Sequence, residues 1–421
     1  MTIAPATCCI VGGGPAGMML GLLLARAGVR TAVLEKHADF LRDFRGDTVH
    51  PSTLRILDEL GLLDRFLERP HQAVREMKAV FGDETVRVAD LSGLPPRYAF
   101  VAFMPQWDFL DFLADQAEAL PTFELHRNVE ATGVRQDGEG RVTGVSWRRR
   151  GATPGAVGPE GTVDAGLVVA CDGRGSTLRG AAELPVHDLG APIDVLWFRV
   201  GRDAAEPGAE GGVFGRVAPG RFVVTLDRGS YWQCAWVIAK GGADAVRARG
   251  IEAFRREVAA LAPTLGPRVD EIASFDDVKL LSVSLDRLER WWCPGLLCIG
   301  DAAHAMSPVG GVGINLAIQD AVAAANALVG PLLARGHAPD DALAAVQERR
   351  LFPTRVVQAV QKAVHANVLT PLLASGGPDA GAVLEPPLPV RLVGRTPMLQ
   401  RLLARGIGMG VRPEHVAAAF R

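Results

Sequence analysis

Three carboxylates in this chain stand at the ends of apolar runs. Glu35 closes Thr31–Leu34, Asp172 follows Gly166–Ala170 in Cys171-Asp172-Gly173, and Asp301 follows Leu296–Ile299 in Gly300-Asp301. An apolar run that ends in an acid reads as a buried parallel strand delivering a carboxylate to a sheet's C-terminal edge, where open α/β sheets bind their ligands. Beyond Asp301 come Pro308, Gly310, Gly311 and Gly313, and then an alanine-rich helix. Glycines there let backbone approach a ligand closely, and the helix start presents free N–H groups. Acids that accept from hydroxyls, beside amides that face an electron-rich group, describe a nucleotide-like ligand. For any one of the three joints taken alone, an ordinary strand-turn-helix connection with a capping acid remains the alternative.

The elements that must position these groups can be read around them. Residues Thr7–Val11 form an apolar strand, Gly12-Gly13-Gly14-Pro15-Ala16-Gly17 a turn, and the following MMLGLLLARAG a helix ending at Gly28. This is G-x-G-x-x-G with a strand before it, a helix after it and an acid, Glu35, about 20 residues on. Gly12 permits the tight turn, Gly14 lets a pyrophosphate approach and Gly17 allows the helix to pack on the sheet. Glu35 would accept from a ribose and repel a 2′-phosphate, which leaves FAD or NAD and disfavours NADP in this site. The motif does not separate the first two.

Bulk properties set the outer limits. A chain of 421 residues suits two connected domains, and 48% apolar content makes it globular. Basic residues (45) nearly balance acidic ones (47), so no global field favours nucleic acid. The six cysteines lack C-x-x-C spacing and lie mostly in apolar runs, as expected of reduced thiols in a cytoplasmic protein. The N-terminus lacks a basic n-region, so no secretory signal is expected, and no apolar run has the length of a membrane span. No metal-spaced cluster stands out.

Farther along, Arg42 and Arg45 occupy a glycine-containing loop before a helix from about Pro51, with Ser52 as its expected cap. MKAVF and TVRVADL flank Gly82-Asp83 as a hairpin, and Gln106 opens the helix QWDFLDFLADQAEAL. Strands then run to Ala170, interrupted by RRRGATPGAVGPEG, which reads as a Gly/Pro-rich loop with Arg148–Arg150 as a solvated strand end. Residues 187–290 are rich in aromatics among β-branched runs, which suggests a sheet with an aromatic-lined face or a packed antiparallel core. A helix is expected over 245–261, and the chain beyond Asp320 is helical.

GGGPAG with Glu35, CDGRGSTLR and GDAAHAMSPVGGVGIN, in this order, resemble the single-component FAD-dependent monooxygenases of the aromatic hydroxylase type, which have the para-hydroxybenzoate hydroxylase fold. The resemblance implies an α/β (α+β overall) architecture: a Rossmann-like FAD-binding domain (1–74, 98–186 and 276–345) interleaved with a mostly antiparallel β-sheet substrate domain (75–97 and 187–275), plus a C-terminal helical segment (346–421). It implies that Gly12, Gly14 and Gly17 cradle the FAD pyrophosphate, that Glu35 takes the adenosine ribose, and that Arg45 and Gln106 contact the FAD phosphates. Asp172, Gly173 and Arg179 would serve both flavin and nicotinamide nucleotide, and Gly300-Asp301 the ribityl and pyrophosphate region. Pro308 would border the isoalloxazine, with backbone N–H groups from Gly313 to Asn315 facing its O2 edge.

The implied activity is hydroxylation of an aromatic or related electron-rich small molecule through a flavin C4a-hydroperoxide, with NADH or NADPH as transient co-substrate and O2 as the oxidant. His304 in GDAAH and His50 in TVHPST would then be packing residues beside the flavin. Composition alone nominates Tyr231, Gln233, Arg216 and Tyr98 as polar groups around the substrate. A reductase or oxidase of an isoprenoid or quinone-like substrate and a flavin-binding protein without catalysis are the competing readings; WQCAWVI lacks the W-x-W-x-I-P of flavin halogenases. The C-terminal helices are left to cover the pocket, mediate a homodimer or touch a membrane.

Overall fold

The computed structural model describes residues 3–41, 48–151, 157–203, 213–375 and 385–421; Arg42 and Arg45 lie outside them. Four parallel strands form its spine. Leu296–Cys298 pairs with Val157–Ala170, that strand with Ala6–Val11, and Ala6–Val11 with Thr31–Glu35. Phe123–Arg127 continues the sheet beyond Thr31–Glu35. All four strands are apolar to the point of full burial at Cys8–Ile10, Val33, Leu167–Ala170 and Leu296–Cys298, as a sheet covered on both faces requires. Their C-terminal ends share one edge, so Asp301, Asp172, the Gly12–Gly17 turn and Glu35 meet there although they are spread over most of the chain.

Helices Pro15–Arg26, Gln106–Glu118 and Gly313–Arg335 cover this sheet, and the first packs against both of the others. Gly17 and Gly21 make the close approach possible. A Cβ on Gly17 would fall 2.0 Å from the Gly12 carbonyl oxygen, and one on Gly21 2.8 Å from the Phe123 ring. Gly12 itself has φ +104°, a left-handed conformation that glycine adopts freely.

The second sheet has seven strands, in the order Lys279–Leu281, Ile193–Gly201, Tyr231–Ala239, Arg221–Asp227, Val213–Ala218, Glu76–Phe81 and Glu84–Asp90. Only the Val213–Ala218/Glu76–Phe81 pair is parallel. Strand alternation sorts its side chains. Leu196, Phe198, Trp232, Cys234 and Trp236 pack on one face against Phe254 and Val258 of the Ile251–Leu261 helix, with Phe198 and Trp236 edge-on to Phe254. Each such burial contributes about 2–3 kcal/mol. Val195, Trp197, Phe222, Val224 and Val237 point the other way, towards Val309, Val364 and Leu369. Most aromatics of this region therefore build a core, and Trp197 and Phe222 remain for the face turned to the first sheet.

Four expectations change. The substrate sheet runs past residue 275 to Leu281, because Lys279–Leu281 pairs with Ile193–Gly201. The helix expected over 245–261 is two pieces, Ala243–Ala248 and Ile251–Leu261, separated at Gly250 (φ +83°). His50, not Ser52, holds the cap position of the Pro51–Glu59 helix, since proline is favoured at the first helical residue and Ser52 follows inside. The described part of the expected loop at 148–161 is strand at 148–150 and 157–161: Val142–Arg150 and Val157–Ala170 pair antiparallel, and Arg148 and Arg150 both donate to Glu130. Those arginines are partnered, not merely solvated.

Candidate functional site

The site forms where the four parallel strands end. Gly12 packs so tightly on the Cys171 carbonyl that a Cβ would sit 2.3 Å from it, whereas a Cβ on Gly14 would have nothing within 4 Å. The open space lies over the start of the Pro15–Arg26 helix. That helix has no side-chain cap and no acid in its first turn, so its first N–H groups and positive end await an anion. Glu35 is buried and braces the turn: its Oε2 accepts from the Gly13 N–H at 2.9 Å, and its Oε1 accepts from the His37 N–H at 3.0 Å.

On the neighbouring strands, Asp301 is half-exposed and its Oδ2 accepts from Arg174 Nε at 3.2 Å. Arg174 also reaches the Ser282 carbonyl, so it ties the Asp172-Gly173 loop to both Asp301 and the strand region of the second sheet. Arg179 donates to the Ala302 carbonyl at 3.3 Å and to that of Arg174; it brackets two loops. Asp172 Oδ2 accepts from the Leu178 N–H, while its Oδ1 is buried without a partner. Gly173 (φ +87°) and Gly300 (φ +59°) hold the two turns, and the Gly300 N–H donates to Asp320 at 3.1 Å.

The glycine turn after Pro308 is the fourth wall. Gly310 and Gly311 have φ of +79° and +62°, and a Cβ on Gly311 would strike Thr48 Oγ1 at 2.6 Å. The Gly313–Arg335 helix that follows has no side-chain cap and no acid in its first turn. Asn315 is fully occupied through its side chain: Oδ1 accepts from the His50 N–H and from Thr53 Oγ1, both at 2.8 Å, and Nδ2 donates to the Thr48 carbonyl. It fixes the turn and leaves the backbone amides to a ligand. Ser307 is held the same way by Gln361, which donates to the Ser307 and Val309 carbonyls. Two uncapped helix starts, hydroxyl-accepting carboxylates and an orphaned buried Asp172 oxygen suit a diphosphate-bearing, hydroxyl-rich cofactor.

Behind the site lies a buried charge network that sequence reading missed. Asp320 accepts from Arg350 Nε at 2.8 Å and from His304 Nε2 at 2.6 Å, and Arg350 also donates to Glu414 at 3.2 Å. Burial alone would push the Asp320 carboxyl up, but His304 and Arg350 beside it hold it below the usual carboxylate range. His304 thus packs and orients. The one signal available was a charged residue inside the apolar run LAIQDAVAAA. His50 Nδ1 donates to the Ile407 carbonyl at 2.9 Å, and burial lowers its ring to about 4, so it is neutral.

The substrate candidates divide. Gln233 is buried and accepts from Arg228 Nε at 3.0 Å; by alternation Tyr231 shares its face, the one that bears Trp197. Arg216 does not. It pairs with Val223, which packs towards Phe254, so Arg216 stands on the sheet face turned away from Val309 and Pro308. Tyr98 is half-buried between the two cores. Gln106 opens its helix.

The profile of the FAD binding domain family matches residues 5–360. The chain belongs to this family. It is 32% identical over 403 residues to 6-methylpretetramide 4-monooxygenase of Streptomyces rimosus, covering 94% of this chain and 91% of that relative. It is also 31% identical over 339 residues to the 12-dehydrotetracycline 5-monooxygenase/anhydrotetracycline 6-monooxygenase of Streptomyces rimosus subsp. rimosus, covering 74% of this chain and 60% of the relative. The chain therefore spans about three-fifths of that second protein. Among solved structures, p-nitrophenol 4-monooxygenase PnpA of Pseudomonas putida superposes with a TM-score of 0.75 over 99% of this chain and 100% of its own, at 21% identity, a likeness of fold. As a member of the FAD-binding family the chain is a flavoprotein monooxygenase of the aromatic hydroxylase type, with FAD as its cofactor. The reductase, oxidase and non-catalytic readings give way to this one.

Proposed function

We propose that this chain uses a reduced nicotinamide nucleotide and O2 to hydroxylate a fused-ring aromatic polyketide. The observation that carries this is its end-to-end likeness to 6-methylpretetramide 4-monooxygenase. Bound FAD supplies the chemistry, accepting a hydride and activating O2 for insertion; the protein supplies binding, orientation and dryness.

The residues divide that work. The amides after Gly14 would hold the diphosphate, Glu35 would face the adenosine ribose, and Asp301 and Asp172 would take the hydroxyl-rich chain, with Gln106 nearer the phosphates. Arg179 and Gly173 shape the surface over which NADH or NADPH passes. The Gly313–Asn315 amides sit at a helix start, where pre-oriented donors stabilise negative charge that grows on the flavin's O2 edge upon reduction. Val309, next to Pro308, packs on the second sheet, so an aromatic acceptor would lie between Pro308 and the face of Trp197, Val224 and Gln233. That face is apolar enough to exclude water from the reacting centre. Gln233, held by Arg228, offers the amide that orients a ring oxygen.

The test is a panel of tetracyclic, tricyclic and monocyclic phenols scored by stimulation of NADH and NADPH oxidation. Tetracyclic compounds should stimulate most; preference for monocyclic phenols would contradict the proposed substrate class.

A further inference from the structure

The stretch 386–413 carries five arginines (391, 395, 401, 405 and 412) and no acid, in a chain whose formal charge is −2. It folds as the helices Leu388–Arg395 and Pro397–Met409. One side of this pair is committed to the protein. Gly394 lies against Val86, Gly408 against Pro51 and Leu91, and the buried Gln400 donates to the Val393 and Gly394 carbonyls. The other side is not. Leu388 and Leu392 in the first helix and Met398 and Leu402 in the second are each four residues apart and exposed, and Leu388 and Met398 are each 79% exposed.

Large apolar side chains lined up in water mark a surface that another body covers. That body must also accept positive charge, since Arg395 and Arg405 are exposed beside the stripe and make no ion pair among the described residues; Arg391 is paired with Glu385, and Arg401 lies 3.9 Å from Asp90. A second copy packed on this face by two-fold symmetry would bring the same arginines together. An anionic lipid surface meets both demands: leucines enter the acyl boundary while guanidinium groups meet phosphate. We propose that the two helices are a docking surface for an anionic phospholipid membrane, on which the enzyme lies without crossing it.

Co-sedimentation of the FAD-loaded full chain with phosphatidylcholine vesicles, with and without phosphatidylglycerol, tests this. Binding should require phosphatidylglycerol and weaken as salt rises. Replacing Arg395→Gln and Arg405→Gln together should lower the partition coefficient roughly thirtyfold, from about fivefold for each arginine. Leu392→Ser with Leu402→Ser should also reduce it, and both variants should retain the parent's FAD content and unfolding midpoint. Equal binding to neutral vesicles, or none to either kind, overturns the proposal. So does a leucine variant that converts a dimer to a monomer in sedimentation velocity without changing lipid binding, since a second copy would then cover the face.

Discussion

Asp301 and His50 show how single side chains at the site divide between ligand and fold. Asp301 is half-exposed and paired with one arginine at a loop, so Asp301→Ala removes the proposed flavin partner with little damage to packing. FAD affinity should fall at least tenfold, read by flavin fluorescence on titration of the apoprotein, while the unfolding midpoint moves little. Unchanged flavin retention would remove Asp301 from the cofactor's partners. His50 is the opposite case. It titrates at about 4 in the folded chain against an ordinary 6.5, because burial disfavours its charged form. Below pH 6.5 the unfolded chain takes up a proton that the folded one refuses, so stability is full above 6.5 and declines as pH falls towards 4. The loss is roughly 3 kcal/mol. His50→Gln should flatten that part of the stability profile in urea titrations at several pH values; an unchanged slope would contradict a neutral His50. The three acids at strand ends, Glu35, Asp172 and Asp301, were legible in the sequence, because an acid closing an apolar run has few other reasons to be there. The side chain of Asn315 was not, since its partners at Thr48, His50 and Thr53 are about 265 residues away.

At the scale of elements, the Gly313–Arg335 helix is held through its first turns. Its start is pinned through Asn315, and Asp320, one turn further on, joins it through Arg350 to the Asp340–Val364 helix and through Glu414 to the C-terminal tail. Removing one member leaves a buried charge uncompensated, so Arg350→Ala should lower stability by about 3–5 kcal/mol. Arg97→Ala breaks exposed pairs with Asp58 and Asp64 and should leave stability nearly unchanged. Urea denaturation of the two variants decides; equal effects would mean that the buried network is not what fixes the helix. Strands and helices around the glycine motif were readable from period and punctuation. The break at Gly250 and the strand character of 148–150 and 157–161 were not, because a lone glycine and a Gly/Pro cluster look alike whether they end an element or sit inside a pairing.

The whole molecule places a cofactor edge built from four parallel strands against one face of an antiparallel sheet. Which face is a matter of register, and a one-residue shift moves every side chain across. For that reason composition nominated Gln233, Tyr231 and Arg216 together, and the structure separates Arg216 from the other two. Gln233→Leu should raise KM for the aromatic substrate several-fold, whereas Arg216→Ala should leave kcat/KM within about twofold; steady-state kinetics that reversed this order would place the substrate on the wrong face. The joining of 76–90 with strands from beyond 190 in one sheet was implied by family resemblance and not by local pattern, and the strand order was not read from the sequence at all. The only described helix long and apolar enough to cross a membrane, Val309–Arg335, is 72% buried and belongs to this interior. The central claim, that the two sheets enclose an oxygen-inserting site, is tested most directly by turnover of a tetracyclic phenol under isotopically labelled O2 with mass analysis of the product. One labelled oxygen atom per product molecule, formed as NADH or NADPH is oxidised, is the predicted result; a product without label, or nucleotide oxidation that yields only hydrogen peroxide with every aromatic offered, would contradict it.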